Sequence, residues 1–173
     1  MIEVLRLGHR PFRDKRLTTH VILTARAFGA CKVYYSGNHD SAMEKTIGKI
    51  VNEFGGNFEI EYCENAEKLV YEKKNSGFKI IHMTVYGKSV LEKIKDIRKF
   101  KDILIVVGGA KVEPIYYESA DFNISITNQP HSEVSSLAIF LDKYFNEKEF
   151  GFDFKNAKRK IIGVEKGKKI EKN

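Results

Sequence analysis

The sequence predicts an α/β fold, a mainly parallel sheet with helices on both faces. Three observations carry this. Short apolar runs alternate with amphipathic stretches of helical period along most of the chain. Ile103-Leu-Ile-Val-Val107 is apolar throughout, as a strand covered on both faces must be. Gly, Asn, Asp and Ser punctuate the runs where helices need caps and stops. With 173 residues, 42% hydrophobic and 31% charged, the chain can bury one substantial core.

The elements follow in order. Ile2–Leu7 reads as the first strand, and Leu17–Phe28 as a helix ended by Gly29. Cys31–Tyr35 is a short apolar strand; Asp40 then caps a helix to about Phe54, which Gly55-Gly56 stops. Phe58–Tyr62 is a third strand, Ala66–Asn75 a helix capped by Asn65, and Gly77 its C-terminal break. Lys79–Met83 is the fourth strand, after which Ser89-Val-Leu-Glu92 resembles a capping box opening a helix to about Phe100. The fully apolar strand comes next, then a short helix over Pro114–Ser119, a last strand Phe122–Ile126 and a long helix Ser132–Phe145. The alternation stops beyond Asn146. We therefore expect a domain over 1–146 and a basic extension over 147–173, in which Lys158–Val164 and Glu165–Ile170 form a β-hairpin turning near Gly167.

Charge is unevenly spread. The chain has 30 basic and 23 acidic residues, a net +7. Positions 155–173 hold eight of the former and two of the latter, so +6 belongs to the tail and +1 to the rest. A second focus lies at the other end, where residues 6–16 gather four arginines, a lysine and a histidine at a strand-to-helix turn. Such a cluster is costly unless something anionic binds there, and a nucleic-acid backbone fits best. The lysine-rich tail taken alone is equally compatible with a solvated end.

Several classes are excluded. No apolar run approaches the roughly 20 residues of a membrane span, and Met1-Ile-Glu-Val has no signal-peptide pattern, so a cytoplasmic protein is expected. Cys31 and Cys63 are isolated, reading as reduced, buried small residues; the five histidines are scattered, and no metal site is expected. GxGxxG after the first strand, a P-loop and GxSxG are all lacking.

In an open parallel sheet, ligands sit beyond the carboxyl ends of the strands. Three exits are unusual here: His82-Met-Thr-Val-Tyr-Gly87, Gly108-Gly-Ala-Lys-Val112 and Thr127-Asn-Gln-Pro-His-Ser-Glu133. Each alone passes for a tight exit or a helix cap. Together they suggest a small-molecule pocket.

Leu5–Val21 with its continuation Thr24–Ala30, Gly108–Val112, and Ile126-Thr-Asn-Gln-Pro-His-Ser-Glu-Val134 resemble the archaeal tRNA (cytidine-56)-2′-O-methyltransferases, over essentially the whole chain. That family belongs to the knotted SPOUT methyltransferases. The resemblance implies a C-terminal trefoil knot, S-adenosyl-L-methionine held in a bent shape by the knot loops, and a homodimer with a composite active site. It also implies methylation of the ribose of cytidine 56 in the T-loop of tRNA. Carried over residue by residue, it assigns the cofactor to Met83; to Gly108, Gly109, Ala110, Lys111 and Val112; and to Ile126, Thr127, Asn128, Gln129, Pro130, His131, Ser132 and Glu133.

Bacterial and eukaryotic ribose methyltransferases of the superfamily carry an arginine within the first helix, where this chain has Leu23. Arg16 is the first choice for the catalytic role and Arg13 the second. Arg6, Arg10 and Arg13 are expected to meet RNA at one end, with Lys158, Arg159 and Lys160 at the other. Arg26 is expected either to touch RNA or to pair across a dimer. An arginine is effectively always protonated, so its expected part is to clamp a developing alkoxide or a phosphate, the proton passing to phosphate, water or His131. Glu133 either orients that clamp or the ribose, or simply complements a helix dipole. Two further readings share these residues: a non-catalytic RNA-binding or assembly protein, and a knotted methyltransferase with another RNA target.

Overall fold

The computed structural model describes residues 1–13, 15–109 and 111–172. Its elements are β1 (Ile2–His9), α1 (Lys15–Ala27), β2 (Lys32–Gly37), α2 (Ser41–Phe54), β3 (Glu59–Tyr62), α3 (Ala66–Asn75), β4 (Lys79–Ser89), α4 (Val90–Ile97), β5 (Ile103–Val107), α5 (Pro114–Ser119), β6 (Phe122–Ser125) and α6 (Glu133–Phe145). A 3-10 turn (Lys148–Gly151) and a hairpin, β7 (Arg159–Ile162) and β8 (Lys169–Lys172), follow. Six strands form one sheet in the order β3-β2-β1-β5-β4-β6, and every neighbouring pair is parallel.

Strand alternation sorts the core into two layers. Ile2, Val4, Ile103, Ile105 and Val107 join residues of α1, α2, α4 and α6 on one face. Leu5, Leu7, Leu104 and Val106 join Ala66 and Val70 of α3 and Tyr116 of α5 on the other. Each fully buried Ile or Leu contributes about 1.5–3 kcal/mol, against roughly 0–1 kcal/mol for an exposed ion pair such as Lys68–Glu72. The two apolar layers therefore dominate stability.

The cap residues act as the sequence indicates. Asp40 accepts from the Met43 N–H at 2.9 Å, Asn65 from the Lys68 N–H at 2.8 Å, and Gly55 leaves α2 at φ 70°. α4 ends at Ile97 rather than near Phe100, because Lys99 and Phe100 donate to carbonyls only three residues back and tighten the last turn. Ser89 caps this helix through the Leu91 N–H.

β4 departs most from expectation. The sequence ends it at Met83, yet it extends to Ser89. Met83 and Lys88 both register with Ile124 of β6, so residues 84–87 bow out between two stretches of pairing. Gly87 permits this: a Cβ there would lie 2.5 Å from the backbone of Asn123 and Ile124.

The residues after α6 double back onto the amino ends of β2 and β3. Phe152 meets Phe145 edge-on at 5.2 Å and fills the space beside Gly29, where a Cβ would lie 2.4 Å from its ring. The Gly56 N–H donates to the Lys155 carbonyl and the Lys158 N–H to the Glu53 carbonyl. The hairpin itself is antiparallel, with Gly167 at φ 87° between its strands.

Candidate active site

The carboxyl ends of β4, β5 and β6 meet at a cavity of about 410 Å³. Its wall is formed by His82–Tyr86 from β4, Gly108, Gly109 and Val112 after β5, Tyr117 of α5, Ile124 and Ile126 from β6 onward, and Pro130, His131, Glu133 and Ser136 leading into α6. The three exits singled out in the sequence thus converge.

Local chemistry explains the shape. Gly108 is pressed so closely that a Cβ would lie 2.2 Å from Val112 Cγ2, whereas a Cβ at Gly109 would come no nearer than 3.8 Å to Glu133 Oε1. Asn128 ties the loop after β6 to the bowed part of β4, donating from Nδ2 to the Val85 carbonyl at 2.6 Å and the Gly87 carbonyl at 3.4 Å. Ser132 caps α6 through the Val134 N–H. His131 is exposed, and its Nδ1 lies 3.2 Å from the Ser132 carbonyl, which makes Nδ1 the protonated nitrogen of the neutral ring.

Of the residues expected to hold a cofactor, Met83, Gly108, Gly109, Val112, Ile126, Pro130, His131 and Glu133 line the cavity. Lys111, Thr127, Asn128, Gln129 and Ser132 stand behind or beside it as exposed loop residues. Ala110 lies outside the described residues. Sequence reasoning missed Tyr117, Ile124 and Ser136, which follow only from the three-dimensional convergence. It also gave His82 no role. The signal was available: a histidine directly after Ile80-Ile81, inside an apolar run, is a candidate for burial, and His82 is fully buried.

The arginines fall into two groups. Arg10, Arg13 and Arg16 are exposed at the β1–α1 turn, with Phe12 fully exposed between them. Because β1 pairs with β5 in parallel, this turn lies along the same sheet edge as the cavity. Neither Arg13 nor Arg16 is among the described residues that line it. Arg6 corrects the expectation of an RNA contact. It shares the face of Ile2 and Val4 by alternation, is only 1% exposed, donates to the Leu7 carbonyl and lies 3.8 Å from Glu133 Oε1. The guanidinium is thus engaged by the Leu7 carbonyl and the Glu133 carboxylate instead of standing on the exposed rim.

Arg26 is corrected likewise. It is buried, donates to the Phe54 and Gly55 carbonyls at the end of α2, and stands 4.7 Å from the Phe154 ring. Burial lowers its pKa from the ordinary value. Lys158, Arg159 and Lys160 are exposed on the extension, with Arg159 2.8 Å from Glu53 and Lys160 3.4 Å from Asp153. No helix among the described residues is long and apolar enough to cross a membrane.

Comparison with known proteins agrees with this geometry. A family model described as tRNA ribose 2′-O-methyltransferase, aTrm56, matches residues 54–171. The tRNA (cytidine(56)-2′-O)-methyltransferase of Metallosphaera sedula is 49% identical over 174 residues, covering 98% of each chain. Two solved structures share the fold. The A. aeolicus TrmH/SpoU tRNA modifying enzyme has a TM-score of 0.62 at 20% identity, over 85% of this chain and 76% of that one. The SpoU methyltransferase AviRb of Streptomyces viridochromogenes, in complex with the cofactor AdoMet, has a TM-score of 0.58 at 11% identity, over 86% of this chain and 57% of that one. A strand-end cavity on a parallel SpoU/TrmH-like sheet, in a sequence half identical to a curated relative along its length, makes this chain a member of the tRNA (cytidine-56)-2′-O-methyltransferase family.

Proposed function

We propose that the protein transfers the methyl group of S-adenosyl-L-methionine to the ribose 2′-oxygen of cytidine 56 in the T-loop of tRNA. The cavity at the three strand exits, in a chain of this family, carries the reading. The residues present fit such a cofactor. Met83, Val112, Ile124 and Ile126 offer apolar walls for a flat base. Glu133 offers a carboxylate for a cation, and the confined backbone at Gly108 allows close approach. When bound, S-adenosyl-L-methionine supplies an electrophilic methyl group on a sulfonium.

The chain's own groups do the rest. Arg16, with Arg13 in support, binds phosphate and stabilises negative charge growing on the ribose oxygen; an oriented cation is worth most at the charge that develops. His131 takes the hydroxyl proton on Nε2, its Nδ1 being turned to the Ser132 carbonyl. Glu133 is kept in place by Arg6. Since Arg13 and Arg16 lie outside the wall of their own cavity, we assign them to the site of a second protomer in a homodimer. Arg10, Lys158, Arg159 and Lys160 add contacts to the tRNA backbone.

Residues 1–146 then form the methyltransferase domain and 147–173 the extension. The likeness of the sheet to the SpoU/TrmH structures supports a trefoil knot in the C-terminal half. A cytoplasmic location accords with a tRNA substrate.

Incubation of a tRNA transcript with the protein and labelled S-adenosyl-L-methionine, followed by mapping of ribose methyls, tests the reading. A single 2′-O-methyl at cytidine 56 is expected. A methyl elsewhere redirects the target, and none at all, without cofactor binding, leaves an RNA-binding protein on the same fold.

A further inference from the structure

His82 is an oddity of the cavity wall. It is fully buried on β4, yet among the described residues one of its two ring nitrogens has a partner and the other has none. Nδ1 lies 2.8 Å from Asn123 Oδ1. The amide of Asn123 is oriented by its other end, which donates from Nδ2 to the Tyr117 carbonyl at 2.8 Å. An amide oxygen only accepts, so Nδ1 carries the hydrogen. In the neutral ring Nε2 is then a bare acceptor, and no hydrogen-bond partner among the described residues meets it. Burial lowers the His82 pKa, which favours that neutral form. Tyr117, also of the cavity wall, holds the ring edge-to-face with centroids 4.5 Å apart.

A buried acceptor left unmatched is costly, and such groups in folded proteins generally have a reason. Three residues from β4, α5 and β6 cooperate to fix one tautomer of this one. We propose that His82 is a cofactor-contacting residue, whose Nε2 accepts a hydrogen bond from the nucleoside half of S-adenosyl-L-methionine, from the adenine amino group or a ribose hydroxyl. The inference rests on the functional reading above. The assignment to the nucleoside half follows from charge and place. Glu133, the carboxylate of the wall, is on α6, and matches the cationic methionine portion. His82 lies with Tyr117 of α5, and a neutral imidazole suits a neutral N–H or O–H donor. Apolar Ile124 and Val112 of the same wall accommodate the faces of a purine.

Calorimetric titration of the full chain with S-adenosyl-L-homocysteine tests this without turnover. His82→Leu should weaken binding about ten- to a hundredfold, the cost of leaving a ligand donor unmatched. His82→Gln, whose Oε1 can stand near the lost Nε2, should recover most of it. Repetition with S-inosyl-L-homocysteine, and with the 2′- and 3′-deoxy analogues, separates the two sources. The analogue lacking the relevant donor should bind wild type and the Leu variant alike. If wild type binds S-adenosyl-L-homocysteine and a folded Leu variant binds it equally well, or if none of the analogues closes the gap, the inference falls while the functional reading stands. If wild type binds none, both fall. Should the Leu variant not fold, nitrogen-15 spectra of wild type decide: His82 Nε2 should shift on saturation while Nδ1 stays protonated, and an unmoved Nε2 overturns the inference.

Discussion

The cavity and the basic rim share one edge of the sheet but differ in how they are made. The cavity draws on three strands and two helices, its backbone approaches held by Gly87, Gly108 and Asn128, and its polar groups are aligned by neighbours within the chain. The rim consists of Arg10, Arg13 and Arg16 on an exposed turn. Arg6, one step further into β1, shows what happens to a guanidinium the fold does absorb: it is enclosed and set against a carboxylate. A pocket that a single chain completes suits a small cofactor required in every turnover. Charges kept outside that pocket suit a large polyanion.

Loss of the rim arginine thought to act on the reacting oxygen should have the largest effect. Arg16→Ala is expected to lower kcat by about 10²–10³ and leave S-adenosyl-L-homocysteine affinity unchanged, as read by single-turnover kinetics beside calorimetry. Intact turnover with weaker tRNA binding would move Arg16 from chemistry to docking and blur the contrast. Gly87→Ala attacks the other side. The added methyl has no room beside β6, so thermal melting should show a loss of about 1–3 kcal/mol, with cofactor affinity falling alongside. A variant as stable as wild type would mean that the bowed strand tolerates what its geometry forbids. The smallest effect is a matter of slope. Arg10→Ala and Lys160→Ala should each reduce the dependence of log Kd on log salt by about one unit, measured by tRNA binding across a salt series. A position that leaves the slope unaltered does not contact phosphate.

Much of this architecture was legible because it depends on local pattern. β5, α3 and α5 begin and end where their apolar runs, caps and breakers say. The overrun of β4 was not, since it depends on a second stretch of pairing with β6 and on an amide donated by Asn128 from beyond that strand. The convergence of the three exits was legible from the rule for parallel sheets. The participation of Tyr117 and Ser136 required the packing of α5 and α6. The burial of Arg6 was legible in principle: residues 2, 4 and 6 of a strand share a face, but the surrounding basic cluster argued for a surface. Arg26 offered no comparable clue, because the carbonyls it satisfies belong to a helix end remote in sequence.

That helix end has a consequence for how the chain is made. The C-terminus of α2 is completed by Arg26, which is synthesised before it, and by the backbone around Lys155 and Lys158, which emerges far later. Domains generally begin to fold from the N-terminal side during translation. Here an early helix waits for late residues before its last carbonyls and the groove beside Gly55 are closed. The basic extension is thus a seal on the nascent protein, and a truncation made to remove its charges would also reopen that seal.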